Sequence, residues 1–301
     1  MTGAVLYGAP APGLVDIPAG AVQVSPLIPG SQDLAAMADG SVERAVVLAP
    51  GGVIERDYVL AQALRVLKPG APLLAFAPKD KGGGRLRKAL EAFGCTVGED
   101  ARRHHRFCQT VRPAAPARLA EAVAAGAPRL SPGLGVWTQP GVFSWDRVDP
   151  GSARLMGVLP ALVGRGADLG CGLGLLAQRV LASPAVTALG CIDIDRRAVE
   201  CARRNLDDPR VEVAWADVRQ GPARGDLDFV VMNPPFHDGG VEDKALGVAF
   251  VTKAAAMLRR GGVCWLVANR HLPYEQALSA AFESYAVRDD GQGYKVIEAR
   301  R

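Results

Sequence analysis

The stretch Gly166-Ala167-Asp168-Leu169-Gly170-Cys171-Gly172-Leu173-Gly174 reads as a short apolar strand that runs into a glycine turn and opens a helix. Glycine lets a chain turn tightly and lets its backbone approach a ligand closely. The helix start then offers unpaired N–H groups. The spacing is G-x-G-x-G, with Leu175 next, and so departs from the G-x-G-x-x-G dinucleotide fingerprint. An acid, Asp168, precedes the first glycine. A carboxylate in such a turn repels a pyrophosphate and suits a cationic amino group, which disfavours a dinucleotide oxidoreductase.

Outward from this turn the chain alternates strands and helices. Thr187 to Asp193 is a second strand, followed by a helix over Arg197–Asn205. Val211 to Ala216 is a third strand and ends at Asp217. Leu227 to Asn233 is a fourth, an apolar run typical of a strand buried on both faces. A helix over Val248–Leu258 stops at Gly261-Gly262. Val263–Ala268 is a fifth strand, and a helix over Glu275–Phe282 follows. Tyr285–Arg288 and Tyr294–Ala299 form a hairpin around Asp289-Asp290-Gly291. The predicted fold class is α/β, a mostly parallel sheet with one antiparallel strand. In such sheets ligands sit beyond the carboxyl ends of the strands. Asp168, Asp193 and Asp217 end three successive strands. Asp168 suits the methionyl ammonium of S-adenosylmethionine, Asp193 the two ribose hydroxyls, and Asp217 the adenine amino group. Unrelated surface acids would match this arrangement only by coincidence.

The fourth strand is closed by Asn233-Pro234-Pro235-Phe236. Proline has a fixed φ and no N–H, so the pair makes a stiff loop. An amide, rigid carbonyls and an aromatic face at a strand end suit a planar group carrying –NH2. Alone, the four residues describe a strand-ending turn with a buried Phe equally well, and the three acids facing them decide. Asn233 Oδ1 and the Pro234 carbonyl are the expected acceptors for the amine hydrogens, and Phe236 the stacking face for a flipped base. His237-Asp238 is expected to shape the pocket rim or touch phosphate rather than to act as an acid or base. Trp137, Trp145, Trp215 and Trp265 are expected in packing roles.

Upstream, the second domain is expected to start near Val136, and a lead-in segment Gly141–Ser152 precedes a helix over Ala153–Leu162. Residues 113–135 are rich in Ala, Pro and Gly and are predicted to be a linker holding a short helix over Arg118–Ala125. Residues 1–112 read as a smaller α/β domain. Its strands are Ala45–Ala49, Pro72–Ala77 and Cys108–Val111, with helices over Ile54–Leu67 and Gly84–Phe93. Its Gly51-Gly52 and Gly82-Gly83-Gly84 are not G-x-G phosphate loops, so this half is expected not to bind a nucleotide cofactor.

Composition narrows the class. The 301 residues are 49% hydrophobic and 22% charged, enough for packed cores and against disorder. Cys95, Cys108, Cys171, Cys191, Cys201 and Cys264 form no C-x-x-C pair, and His104-His105 alone cannot build a zinc site. No metal is expected, and reduced buried thiols fit a cytoplasmic protein. The N-terminus lacks a secretory pattern, and no run spans a bilayer. The net charge is only +4, yet residues 79–118 hold ten Lys or Arg against four Asp or Glu. Lys79, Arg85, Arg87 and Lys88 belong to this strip, whose charge suits a polyanion.

The motif set Asp168–Gly174, Asp193 within Ile192–Val199, Asp217 and Asn233–Phe236 resembles the class I S-adenosylmethionine-dependent methyltransferases, whose domain is a Rossmann-like sheet. Val142-Phe143-Ser144 with Asp149-Pro150-Gly151, the run Asn233–Gly239, and Val267–Asn269 with Leu272-Pro273-Tyr274 narrow this further. Together they are similar to the RsmC-type ribosomal RNA guanine-N2 methyltransferases over residues 136–301. Leu64–Gly70 and Asp100–Arg103 resemble that family's N-terminal domain more weakly. The resemblance implies a catalytic domain at 136–301 and a degenerate methyltransferase-like domain at 1–112 that docks RNA. It implies a guanine in 16S rRNA as target, 23S rRNA being open for close relatives. It places Asp168, Gly170, Cys171, Gly172, Gly174, Asp193, Ile194, Asp217, Val218 and Asn233 at the cofactor, and Asn233, Pro234, Pro235 and Phe236 at the chemistry. Phe143, His237, Lys79, Arg85, Arg87 and Lys88 fall on the RNA side, and a monomer is expected. Protein-glutamine N5 and adenine-N6 methyltransferases carry similar motifs, usually with Tyr, and a catalytically silent rRNA-binding assembly factor is a further alternative.

Overall fold

The computed structural model of the chain describes residues 2–220, 225–235, 237–238, 241–242, 244–271 and 274–301. These divide into two compact units, residues 1–128 with 139–141, and residues 129–138 with 142–301.

The first unit runs β1 (Thr2–Tyr7), β2 (Val22–Gln23), β3 (Val42–Leu48), α1 (Val53–Val66), β4 (Pro72–Pro78), α2 (Gly84–Glu91), β5 (Gly98–Arg102), β6 (His105–Val111) and α3 (Leu119–Gly126). Its sheet has the order β2-β1-β3-β4-β6-β5. The first four strands are parallel, and β6 and β5 form an antiparallel edge. On α1, Val59, Leu60, Ala63, Leu64 and Val66 repeat at helical spacing and are buried on the sheet. A fully buried Leu contributes about 1.5–3 kcal/mol, so this face alone holds the helix down. The segment expected to be a linker is only partly one. Its helix α3 packs against α1 so closely that a Cβ on Gly126 would lie 2.3 Å from Tyr58.

Gly51-Gly52 and Lys79–Gly83 do join strands to helices, but they close on each other. A Cβ on Gly82 would sit 3.3 Å from the Gly51 Cα and 3.0 Å from Arg56 Nη1. Arg56, buried beneath, fills the space behind both turns.

The second unit runs β7 (Arg129–Leu130), β8 (Trp137–Thr138), α4 (Pro150–Val158), β9 (Gly164–Leu169), α5 (Leu175–Leu181), β10 (Val186–Asp193), α6 (Arg196–Asn205), β11 (Val211–Trp215) and β12 (Leu227–Met232). It continues with β13 (His237–Asp238), β14 (Val241–Glu242), α7 (Lys244–Met257), β15 (Leu258–Asn269), α8 (Glu275–Ala281), β16 (Ser284–Gly291) and β17 (Tyr294–Arg300). Its seven-stranded sheet has the order β11-β10-β9-β12-β15-β17-β16, with β17 antiparallel to both neighbours. Both faces are covered, as a parallel sheet requires. On β12, Val230 and Met232 enter one core while Phe229 and Val231 enter the other.

The two sheets share a plan. β3 lies between β1 and β4 as β12 lies between β9 and β15, and each sheet ends in an antiparallel hairpin edge. Ala49-Pro50 follows β3 where Asn233-Pro234 follows β12, so the polar side chain is missing from the first unit's counterpart.

Two local expectations shift. α4 begins at Pro150, not Ala153, because Asp149 caps it and proline is well placed in a first turn. The final hairpin turns at Gln292-Gly293, whose φ values of 52° and 83° give the left-handed pair that a two-residue turn needs. Asp289 and Asp290 therefore lie inside β16, paired with Arg154 and Arg270. Among the described residues no helix is long and apolar enough to cross a membrane.

Candidate functional site

The carboxyl ends of β9 and β12 open onto a cleft. The end of β9 supplies Asp168 to its wall, and the turn after it supplies Gly170, Cys171 and Gly172. The lead-in segment supplies Phe143 and Asp149, α4 supplies Ser152, and the loop after β12 supplies Asn233.

The turn is built by its glycines. Gly170, Gly172 and Gly174 have φ of 75°, 53° and 84°, a region other residues enter at a cost. The N–H groups of Gly170 and Cys171 both donate to the Ile192 carbonyl, which stitches the turn to β10. Asp193, at the end of β10, locks it further. One carboxylate oxygen accepts from Gly172 N and the other from Asp195 N, each at 2.8 Å. Burial raises the Asp193 carboxyl to about 6, against these backbone bonds, which lower it.

Asp168 is buried to 1% exposure at the cleft floor. Its Oδ2 has no hydrogen-bond partner among the described residues. Burial first, and the Asp193 charge second, push its carboxyl up to about 8, while the Ala177 amide pulls it down in part. A buried acceptor without a donor costs about 1–3 kcal/mol. Of the groups that can donate to such an oxygen, a cationic amine is the best chemical match.

Asn233 is half-buried at the end of β12. Its Nδ2 donates to Asp149 Oδ2 at 2.8 Å and to Ser152 Oγ at 2.9 Å. Pro234 behind it is buried and Pro235 is exposed. Phe143, at 68% exposure, presents an aromatic face on the cleft rim.

The remaining expected residues lie elsewhere. Gly174 caps α5, with Leu206 against it. Ile194, 36% exposed, has its carbonyl bonded by Trp215 Nε1. Asp217 is not in the cleft wall, and Arg219 grips both of its oxygens, holding its carboxyl below the usual range. Val218 is buried in the core beneath. Phe236 lies outside the described residues, and His237 is described only as part of β13.

In the first unit, Lys79, Arg85 and Lys88 are exposed, whereas Arg87 is engaged by Glu91 at 2.8 Å and faces Glu99 at 4.0 Å. The Lys79 N–H donates to the His104 carbonyl, bringing the β5–β6 turn beside this strip. Arg102 there lies 4.5 Å over the Phe107 ring. All six cysteines are buried and free. Among the described residues no three His, Cys, Asp or Glu come together as a metal site.

Asp149 and Ser152 are not among the site residues expected from the sequence. The signal was present in Asp149-Pro150-Gly151-Ser152, a helix cap with proline at the first position.

Residues 133–298 match the family Methyltransferase small domain. The Ribosomal RNA small subunit methyltransferase C of Pseudomonas aeruginosa (strain LESB58) is 34% identical over 268 residues, covering 87% of this chain and 80% of that protein. Its counterpart in Shewanella loihica is 30% identical over 249 residues, covering 81% and 73%. The solved T. thermophilus 16S rRNA N2 G1207 methyltransferase (RsmC), in complex with AdoMet and guanosine, superposes with a TM-score of 0.74. It shares 28% identity, over 89% of this chain and 75% of that one.

Proposed function

This chain belongs to the ribosomal RNA small subunit methyltransferase C family within the methyltransferase small domain group, and from that premise we propose how its site works. It is an enzyme that transfers a methyl group from S-adenosylmethionine to the N2 amine of a guanine in 16S rRNA. The observation that carries the assignment of roles is the Asn233 amide, pinned by both its hydrogens above a cleft floored by the unpartnered Asp168 oxygen.

S-adenosylmethionine, when bound, supplies an electrophilic methyl group. Asp168 holds the ammonium, Asp193 the ribose hydroxyls through the lone pairs its backbone bonds leave, and the turn Gly170–Gly174 lets the backbone come close. Gly170, Cys171 and Gly172 complete the cofactor wall, and Gly174, Ile194, Asp217 and Val218, which lie beyond that wall, extend the set on the family likeness. The guanine amine is a poor nucleophile because its lone pair is delocalised into the ring. Asn233 Oδ1 and the Pro234 carbonyl accept its two hydrogens, raise electron density on the nitrogen and aim it. Pro235 stiffens the loop, and Phe236 and Phe143 are aromatic faces for a flipped base. No strong base is required, since the amine turns acidic once methylated. The rate comes from positioning and electrostatics.

Residues 1–112 dock RNA through Lys79, Arg85, Lys88 and, less strongly, Arg87, whose charge Glu91 offsets. His237 serves at the rim. The protein acts as a monomer in the cytoplasm, without a metal, on rRNA or the small subunit. Reversing Lys79, Arg85 and Lys88 to Glu should weaken RNA binding by tenfold or more. The slope of log affinity against log salt should fall by roughly 0.7–0.9 per lost contact. Cofactor affinity should not move. A titration that gives wild-type RNA affinity and slope would leave the strip as ordinary surface.

The assignment itself is tested by mapping N2-methylguanosine in rRNA from cells lacking the protein, beside labelled-cofactor assays on 16S rRNA, 23S rRNA, DNA and release factor. Loss of one N2-methylguanosine is the expected result. Label entering adenine or a glutamine side chain instead would overturn it.

A further inference from the structure

We propose that Asp149 is the positioning residue of this site, acting on the acceptor amine through the Asn233 amide. The inference rests on the role given to Asn233 above. Asp149 caps α4, and its Oδ2 accepts from the Ser152 backbone N–H at 2.7 Å. The same oxygen accepts from Asn233 Nδ2 at 2.8 Å, and Ser152 Oγ accepts from Nδ2 at 2.9 Å. Both amide hydrogens of Asn233 are thus taken by the first turn of one helix.

This fixes which way the amide faces. An asparagine has two donors on one side and an acceptor on the other. Turned over, it would set Oδ1 against the Asp149 carboxylate, acceptor against acceptor. The hydrogen-bond network, which is what assigns an amide's orientation, therefore turns Oδ1 away from Asp149. Donation to a carboxylate is a charge-assisted bond. It also draws electron density through the amide onto Oδ1, making that oxygen a better acceptor.

The helix that delivers Asp149 is itself anchored. Gly151 leaves room for Tyr294 of β17: a Cβ there would meet its ring at 3.0 Å and Asp149 Oδ2 at 3.1 Å. Arg154, one turn on, pairs with Asp289 of β16 through Nε at 2.6 Å. The final hairpin thereby holds the first turn of α4 over the end of β12. Asp149-x-Gly151-Ser152 is a positioning device, with glycine for close approach and two acceptors for one amide.

The test compares Asp149→Ser and Asp149→Asn with the wild-type chain on 16S rRNA, measuring kcat, the KM for cofactor and the melting temperature. Serine caps a helix as well as aspartate but is too short to reach Asn233. We expect D149S to melt close to wild type, keep its cofactor KM within about threefold, and lose about ten- to hundredfold in kcat. D149N, whose side-chain oxygen can accept both bonds, should recover to within about fivefold. Wild-type kcat in D149S would overturn the inference, as would a D149N no better than D149S. A wild-type chain silent on rRNA would instead bring down the functional reading beneath it.

Discussion

Asn233→Ala is expected to reduce methyl transfer by about 30- to 1000-fold while cofactor affinity stays within a few-fold of wild type. The magnitude is that of removing one preorganised polar contact from a developing charge, roughly 2–4 kcal/mol in the barrier. Among the described residues neither Asp168 nor Asp193 bonds to Asn233. Asp193 binds Gly172 and Asp195, and Asp168 sits beneath the glycine turn. The amide instead faces Asp149 and Ser152, so its loss is felt on the acceptor side of the cleft. Single-turnover transfer to 16S rRNA, beside calorimetric titration with S-adenosylmethionine, separates the two. Normal turnover in the mutant would remove Asn233 from the chemistry. Lost cofactor binding would move it into the cofactor site.

The same geometry explains why an amide, and not a carboxylate, stands at 233. With Asp149 Oδ2 only 2.8 Å away, an aspartate at 233 would set two acids in contact, and one would have to keep its proton. Asn233→Asp should therefore be no milder than Asn233→Ala, although it keeps an oxygen acceptor.

How much of the site is legible in the sequence depends on the distance between partners. The turn Asp168–Gly174 and the acids at 193 and 217 announce themselves because each marks the end of its own strand. The bond from Asn233 to Asp149 crosses 84 residues, and no local pattern encodes it. Edge strands are hard to read for another reason. β5, Gly98–Arg102, is exposed at every position, so it has no apolar alternation and is held by its backbone bonds to β6. β1 is different: Ala4-Val5-Leu6-Tyr7 is a buried apolar run, and a reading that begins at Ala45 misses it. Asp217 shows the opposite limit. Its place at a strand end is legible, but the Arg219 that covers it two residues on is visible only in three dimensions.

Asp168 carries the second large effect, and it is a dependence on pH. Its carboxyl is pushed from 3.8 up to about 8 by burial and by Asp193. The sign follows from which state holds the proton. Between pH 4 and 8 the folded, ligand-free chain keeps a proton that the unfolded chain releases. That contribution to stability is complete below about pH 4 and is lost as pH rises through 8. A cationic ligand reverses the preference, because it needs the ionised carboxylate. Below pH 8 its binding must expel the proton, and affinity should strengthen by up to tenfold per pH unit. We expect the dissociation constant for S-adenosylmethionine to fall several-fold to tenfold between pH 6.5 and 7.5, above the midpoint of Asp193, near 6. Close to one proton should be released per cofactor bound, read by calorimetry in buffers of different ionisation enthalpy. Asp168→Asn should weaken binding by about a hundredfold at pH 7.5, which is the loss of a buried, charge-assisted pair. It should also abolish the proton release and raise the stability of the ligand-free protein at pH 8, where the wild type bears a buried charge. Cofactor affinity that is flat with pH in the wild type, or unchanged in Asp168→Asn, would mean that the ammonium is held elsewhere. The unpartnered oxygen at the floor of the cleft would then be a cost of the fold without a ligand to offset it.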